Sequence, residues 1–190
     1  MKLAKVFKEN KQFTLFSILA LVVVGVAVFA PQIAPYDPLD AVMLESLQAP
    51  SSAHPFGTDK LGRDLLSRVI FGTRTSLVMT LCLVAVIFVI GTFLGIIAGY
   101  FGGIVDGVIM RIADMMISFP GLVLAIAIAG MLGPNLVNAV ISIAAVSWTK
   151  YARLARSLVM KIRHEDYVYA AIVTGSKTGY ILRKYMLPNV

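Results

Sequence analysis

The chain has 190 residues, 58% of them hydrophobic and 14% charged, with a mean hydropathy of +0.85. That composition is too apolar for an ordinary water-soluble domain and places the chain in a bilayer. The net charge of +7 is therefore read as a topological signal and not as a nucleic-acid patch.

A hydrocarbon core of roughly 30 Å needs about 20 apolar residues at about 1.5 Å each. Residues 1–12 form a basic flank with Lys2, Lys5, Lys8 and Lys11, and the uncharged run 13–30 behind them is the first expected span. The run has the look of a secretory signal, with Val28 and Ala30 in a small-residue pattern, but Pro31 opposes cleavage there and predicts a retained anchor.

Residues 31–76 form the next expected unit, a polar connection ending in an interfacial helix. Pro35 and Pro38 fix extended or turn geometry. Gly57 and Gly62 bracket a turn, and Asp59 or Asp64 is placed to cap a helix beginning near residue 65. Leu65, Leu66, Val69 and Ile70 then recur at helical spacing, with Arg63, Ser67, Arg68 and Arg74 on other faces. This predicts an amphipathic helix at the membrane surface, running into a second span over 77–98. In that span Gly91, Gly95 and Gly99 repeat every four residues, a face on which another helix can approach closely. The spacing leaves open whether that helix belongs to this chain or to a partner.

Residues 100–107 read as a Gly-rich turn and 112–132 as a third span, with Asp106, Arg111 and Asp114 near its start. Arg111 and Asp114 are three apart and positioned to pair with each other. Pro120 predicts a kink, and Gly133, Pro134 and Asn135 predict the turn before a fourth span over 136–152. Its uncharged run, 136–148, is only 13 residues. Lys150 and Arg153 can snorkel from its end, with Trp148 and Tyr151 at the interface. Residues 77–190 thus form one core containing three of four spans.

Charge sets the orientation. Residues 1–12 hold four Lys and one Glu, and 149–188 hold eight basic residues against Glu165 and Asp166. Residues 31–75 hold four basic and five acidic ones. With four spans, both basic ends lie in the cytoplasm and the 31–75 connection lies outside.

The last stretch, 161–190, has no span-length apolar run. His164, Glu165 and Asp166 can open a short helix, Gly175 permits a change of direction, and Ser176 is placed to cap a second short helix that Pro188 ends. Two helices of about ten residues are marginal alone and need a surface. The tetrapeptide 175–178, Gly-Ser-Lys-Thr, mimics a phosphate-binding loop, but Ser176 precedes the lysine and Ala171 stands where that loop has glycine. Cys82 is alone in an apolar run, and His54 and His164 fall on opposite sides of the expected membrane, so neither metal nor disulfide chemistry is expected. No catalytic constellation stands out.

One family fits this pattern. Ala170, Ala171, Gly175, Leu187 and Pro188 match, at the right spacing, the loop by which permease subunits of ABC importers engage their ATPase; Tyr169 stands where that signature has Glu, and Tyr185 where it has Ile. Residues 34–38, the Gly-Thr-Asp and Gly-Arg-Asp run from Gly57 onward, and Ser118 to Pro120 also occur in the family's order, so the chain resembles the second permease of the dipeptide, oligopeptide and nickel branch. The resemblance implies an all-α transmembrane bundle of four spans with cytoplasmic coupling helices, truncated before the family's last two spans. It implies no enzyme activity and no cofactor, ATP being bound by partners. It also implies two ATP-binding subunits, a homologous second permease, an external solute-binding protein and membrane lipid as partners, with no nucleic acid. Peptide is the expected cargo and nickel the alternative. The competing class is a non-transport membrane scaffold.

Overall fold

The structure is a computed structural model and describes residues 10–190, which leaves the N-terminal lysines before Lys11 outside the described residues. Among the described residues every regular element is helical, and one isolated bridge joins Thr58 to Asp64. The chain divides into two compact units, one ending at Thr80 and one beginning at Leu81.

In the first unit, helix α1 (Lys11–Val28) is apolar on all sides. Of its residues only Ala27 is buried, the pattern of a helix surrounded by lipid. It stops short of the expected 13–30, because the chain breaks at Phe29 and resumes for a single turn, Ala30–Ile33, which accepts Pro31 in its first turn. Residues 34–64 are irregular apart from one 3-10 turn, Met43–Glu45, but tightly hydrogen-bonded. Gly57 and Gly62 have φ of +73° and +74°, and a side chain on Gly62 would collide with the Val42 carbonyl, so glycine is required for both conformation and contact. Asp59 gathers the backbone N–H of Leu61 and Arg63 and the guanidinium groups of Arg63 and Arg68.

Helix α2 spans Leu65–Phe101, 37 residues. The expected interfacial helix and second span are one continuous helix, since nothing between Arg74 and Leu77 interrupts its hydrogen bonding. Asp64 caps it: its Oδ2 accepts from the Ser67 N–H and from the Ser67 hydroxyl, each at 2.7 Å.

In the second unit, the expected turn over 100–107 shrinks to Gly102 and Gly103, with φ of +65° and +52°. Helix α3 (Gly103–Ser118) begins at once. The expected third span is broken and not merely kinked. Phe119 and Pro120 are extended, α4 (Gly121–Leu132) restarts after them, and the two helices are bent by 92°. Proline has no N–H to continue α3 and holds the preceding residue out of the helical region. Asn135 then caps α5 (Leu136–Ile162), its side chain accepting from the Val137 N–H. This helix runs ten residues past the expected boundary at 152.

By length and composition, α1 and α2 each suffice to cross a membrane, and the bent pair α3–α4 makes a third if it is one span. The fourth expected span differs. Helix α5 has ample length, but its apolar stretch ends at Trp148 and Lys150, Arg153, Arg156 and Lys161 come after it within the same helix.

Candidate functional site

The expected coupling residues lie in a C-terminal segment of short helices packed on the ends of α2 and α5. Helix α6 (Asp166–Val173) is followed by a turn, then α7 (Thr178–Ile181), a wide π turn Leu182–Met186 and a 3-10 turn Leu187–Asn189. Val168, Ile181 and Met186 from this segment join Ile96 of α2 and Val159 of α5 in a buried cluster flanked by Tyr100, Ile162, Leu182 and Tyr185. Helices this short gain their order from that apolar contact.

The end of α6 explains Gly175. The Ser176 N–H donates to the Ala171 carbonyl and the Gly175 N–H to the Ile172 carbonyl, each at 3.0 Å, which is the Schellman closure of a helix end. That closure needs a left-handed residue, and Gly175 has φ of +81°. Ser176 does not cap the next helix, which begins one residue later than expected: Lys177 holds the cap position without a side-chain bond. Pro188 does not end a helix either, since it sits in the first turn of the 3-10 segment.

The five signature residues do not share one face. Ala171 is buried, whereas Ala170, Gly175, Leu187 and Pro188 are exposed. Tyr169 also faces outward, at 59% exposure. Tyr185 is half-buried and meets the Tyr167 and Tyr180 rings at 5.7 and 6.0 Å. Lys184 donates to the Tyr180 hydroxyl at 2.6 Å, and this hydrogen bond raises the lysine above its ordinary value.

Beside the segment runs the glycine face, and its neighbour is α5 of the same chain. A methyl carbon on Gly91 would stand 2.6 Å from the Trp148 carbonyl oxygen and from Tyr151 Cβ; on Gly95, 2.6 Å from Ala155 Cβ; on Gly99, 2.9 Å from the Arg156 carbonyl oxygen and from Val159 Cβ. The backbones thus meet without intervening side chains, and dispersion contact replaces the hydrophobic drive that lipid does not supply.

The expected Arg111–Asp114 pair is not formed. Asp114 instead accepts from Arg153, and Asp106 accepts from Arg156, joining α3 to α5 through two ion pairs. Local spacing points to partners within α3, because a pair 39 or 50 residues apart leaves no mark in it.

A buried polar cluster in the first unit is likewise silent in the sequence pattern. His54 Nδ1 lies 3.0 Å from Asp64 Oδ1 and its Nε2 3.3 Å from Glu45 Oε2, with the Tyr36 ring 4.9 Å away. The bond to Asp64 raises the imidazole above its ordinary value, and the Glu45 charge adds to this. For Asp64, burial acts upward but is outweighed by bonds from Ser67 and His54, so its carboxyl lies below the ordinary range.

The family described as binding-protein-dependent transport system inner membrane component matches residues 91–190. The N-terminal transmembrane domain of oligopeptide transport permease C matches residues 2–50. A dipeptide transport system permease protein of Alkalihalophilus pseudofirmus is 40% identical over 97% of this chain and 61% of its own length. One from Haemophilus influenzae is 38% identical over 96% of this chain and 64% of its own. A nickel transport system permease protein of Escherichia coli is 39% identical over 75% of this chain and 51% of its own. The chain thus spans less than two thirds of the length of these curated relatives. With a match covering more than half of its residues, the chain belongs to the binding-protein-dependent transport system inner membrane component family.

Proposed function

We propose that the chain acts as a membrane-spanning permease subunit of an ATP-driven importer, passing peptides by alternating access while separate ATPase subunits supply the energy. The observation that carries this reading is the C-terminal segment. It is a set of short helices seated on the ends of α2 and α5 through Val168, Ile181 and Met186, and it presents Tyr169, Ala170 and Leu187 outward. A segment gripped by the bundle on one side and open on the other can take a push from a partner and deliver it to the spans. A homologous permease completes the pathway and an external binding protein delivers the cargo. Both chain ends lie in the cytoplasm.

The test is co-purification from membranes containing the companion subunits. The affinity-tagged chain is expected to bring down an ATPase and a second permease, and Lys177 is expected to resist membrane-impermeant amine reagents in intact cells. Isolation without any ATPase, or labelling of Lys177 from outside, favours the scaffold reading. Nickel is kept as a second cargo because a nickel permease is among the relatives, and competing uptake of labelled dipeptide and nickel by the assembled complex separates the two.

A further inference from the structure

Two residues one turn apart on α5 reach opposite neighbours. Val159 is fully buried and touches both Gly99 and the cluster that seats the C-terminal segment. Arg156 lays its backbone on the glycine seam, its nitrogen over Gly95 and its carbonyl over Gly99. Its guanidinium extends to the first turn of α3, where Nε and Nη2 each donate to one carboxylate oxygen of Asp106. A bidentate fork fixes orientation as well as distance. The pair is largely withdrawn from water, with side chains 31% and 18% exposed, whereas Arg153 and Asp114 are 46% and 59% exposed and correspondingly screened.

Among the described residues, helix α3 has few other anchors besides the exposed Asp114–Arg153 pair. Only Ala113 is buried along its 16 residues. At one end it is joined through the positive-φ Gly102 and Gly103, and at the other through the extended Phe119–Pro120 break. Beside that break lies a cleft of about 360 Å³ lined by residues including Met116, Phe119, Leu122, Val146 and Lys150.

We propose that the Asp106–Arg156 pair is the positioning link that makes α3 move with α5, so that displacement of the C-terminal segment reaches the Phe119–Pro120 break and its cleft. The direction of travel rests on the permease reading; the link itself rests on the geometry alone. Asp114–Arg153, exposed at the far end of the helix, is dispensable to it.

The test uses the full chain in lipid nanodiscs with its cysteine removed (Cys82→Ser) and spin labels at two exposed positions, Met115 on α3 and Met160 on α5. Asp106→Asn should broaden and displace the distance distribution. The reversed pair, Asp106→Arg with Arg156→Asp, should restore it; Arg156→Lys, which keeps the charge and loses the fork, should fall between; Asp114→Asn should match the wild type. An unchanged distribution in Asp106→Asn, or equal broadening in Asp114→Asn, overturns the link. In the assembled complex, Asp106→Asn should lower uptake per ATP hydrolysed by about tenfold while hydrolysis continues, with recovery in the reversed pair. Loss of uptake and hydrolysis in equal proportion reduces the pair to a structural role. A wild-type complex that hydrolyses ATP and imports nothing counts against the permease reading, and the spin-label distances still decide the link.

Discussion

Gly91 meets Trp148 at backbone distance: a methyl carbon built on the glycine would stand 2.6 Å from the tryptophan's carbonyl oxygen. Backbone, unlike a flexible side chain, cannot step aside, so the whole of α5 would have to shift to admit it.

Gly91→Ala and Gly95→Ala are therefore each expected to destabilise the chain by about 1–3 kcal/mol, the usual cost of forcing atoms into a packed interface. Gly107→Ala is the control, because nothing lies within 4 Å of its added carbon. It should be neutral or stabilising by up to about 1 kcal/mol, through the gain in helix propensity. Thermal unfolding in detergent compares the three, and equal behaviour of Gly95→Ala and Gly107→Ala would remove the seam as a packing feature.

Gly175 makes a different demand. A side chain there meets open space, yet its φ of +81° suits few residues besides glycine and asparagine. Gly175→Asn should retain the closure of α6 and, under the proposed permease function, most ATPase binding. Gly175→Leu should cost about 1–2 kcal/mol in local backbone strain and fray the end of α6. Hydrogen exchange at Gly175 and Ser176, whose N–H groups close that helix, reads this directly; indistinguishable exchange in the two variants would refute it.

What sequence reveals and what it conceals divides along the range of the interactions. The glycine period, the positive-φ turn at Gly175 and a helix cap at Asp59 or Asp64 are local, and each is visible in a few consecutive residues, although only the structure chooses Asp64. The full break at Phe119 is not legible in the same way, because proline inside an apolar run is compatible with a kink or a full stop, and only packing decides which. The pairing of Asp106 with Arg156, and of His54 with Glu45 and Asp64, depends on how distant segments fold back. The start of the fourth expected span is legible as an apolar run, but the end of α5 is not, because its helix is continuous while its polarity changes midway.

His54 makes the 34–64 segment pH-dependent. Both ring nitrogens face carboxylates, Glu45 and Asp64, with the tilted Tyr36 ring 4.9 Å away and Asp37 and Asp40 lining the same small cavity. Since folding raises the imidazole above its ordinary 6.5, its contribution is complete below pH 6.5 and is lost as pH rises through the folded value. The carboxylates act oppositely. Asp59 is held down to about 2 by the hydrogen bond from Arg63, so its contribution is complete above its ordinary 3.8 and disappears as pH falls toward 2. Protection of the Leu47, Thr58 and Asp59 amides should therefore be greatest between about pH 4 and 6.5 and decline on both sides. In His54→Gln the alkaline decline should vanish; its persistence would assign the effect to another group.

The two departures from the family signature predict opposite phenotypes. Tyr169 points outward, 59% exposed, so Tyr169→Glu removes no buried contact and should change stability by less than about 0.5 kcal/mol. Under the proposed permease function any effect belongs to the ATPase partner, and affinity for it is the measurement that registers it. Tyr185 packs against the buried cluster and meets the Tyr167 and Tyr180 rings. Tyr185→Ile should cost about 1 kcal/mol through the lost ring contacts and free Lys184 and Tyr180 to reorient. Under the proposed permease function its effect on the ATPase should then track the order of the segment and not direct contact. If Tyr169→Glu lowers the melting temperature while Tyr185→Ile leaves it unchanged, the orientation of the segment against Ile96 and Val159 is wrong.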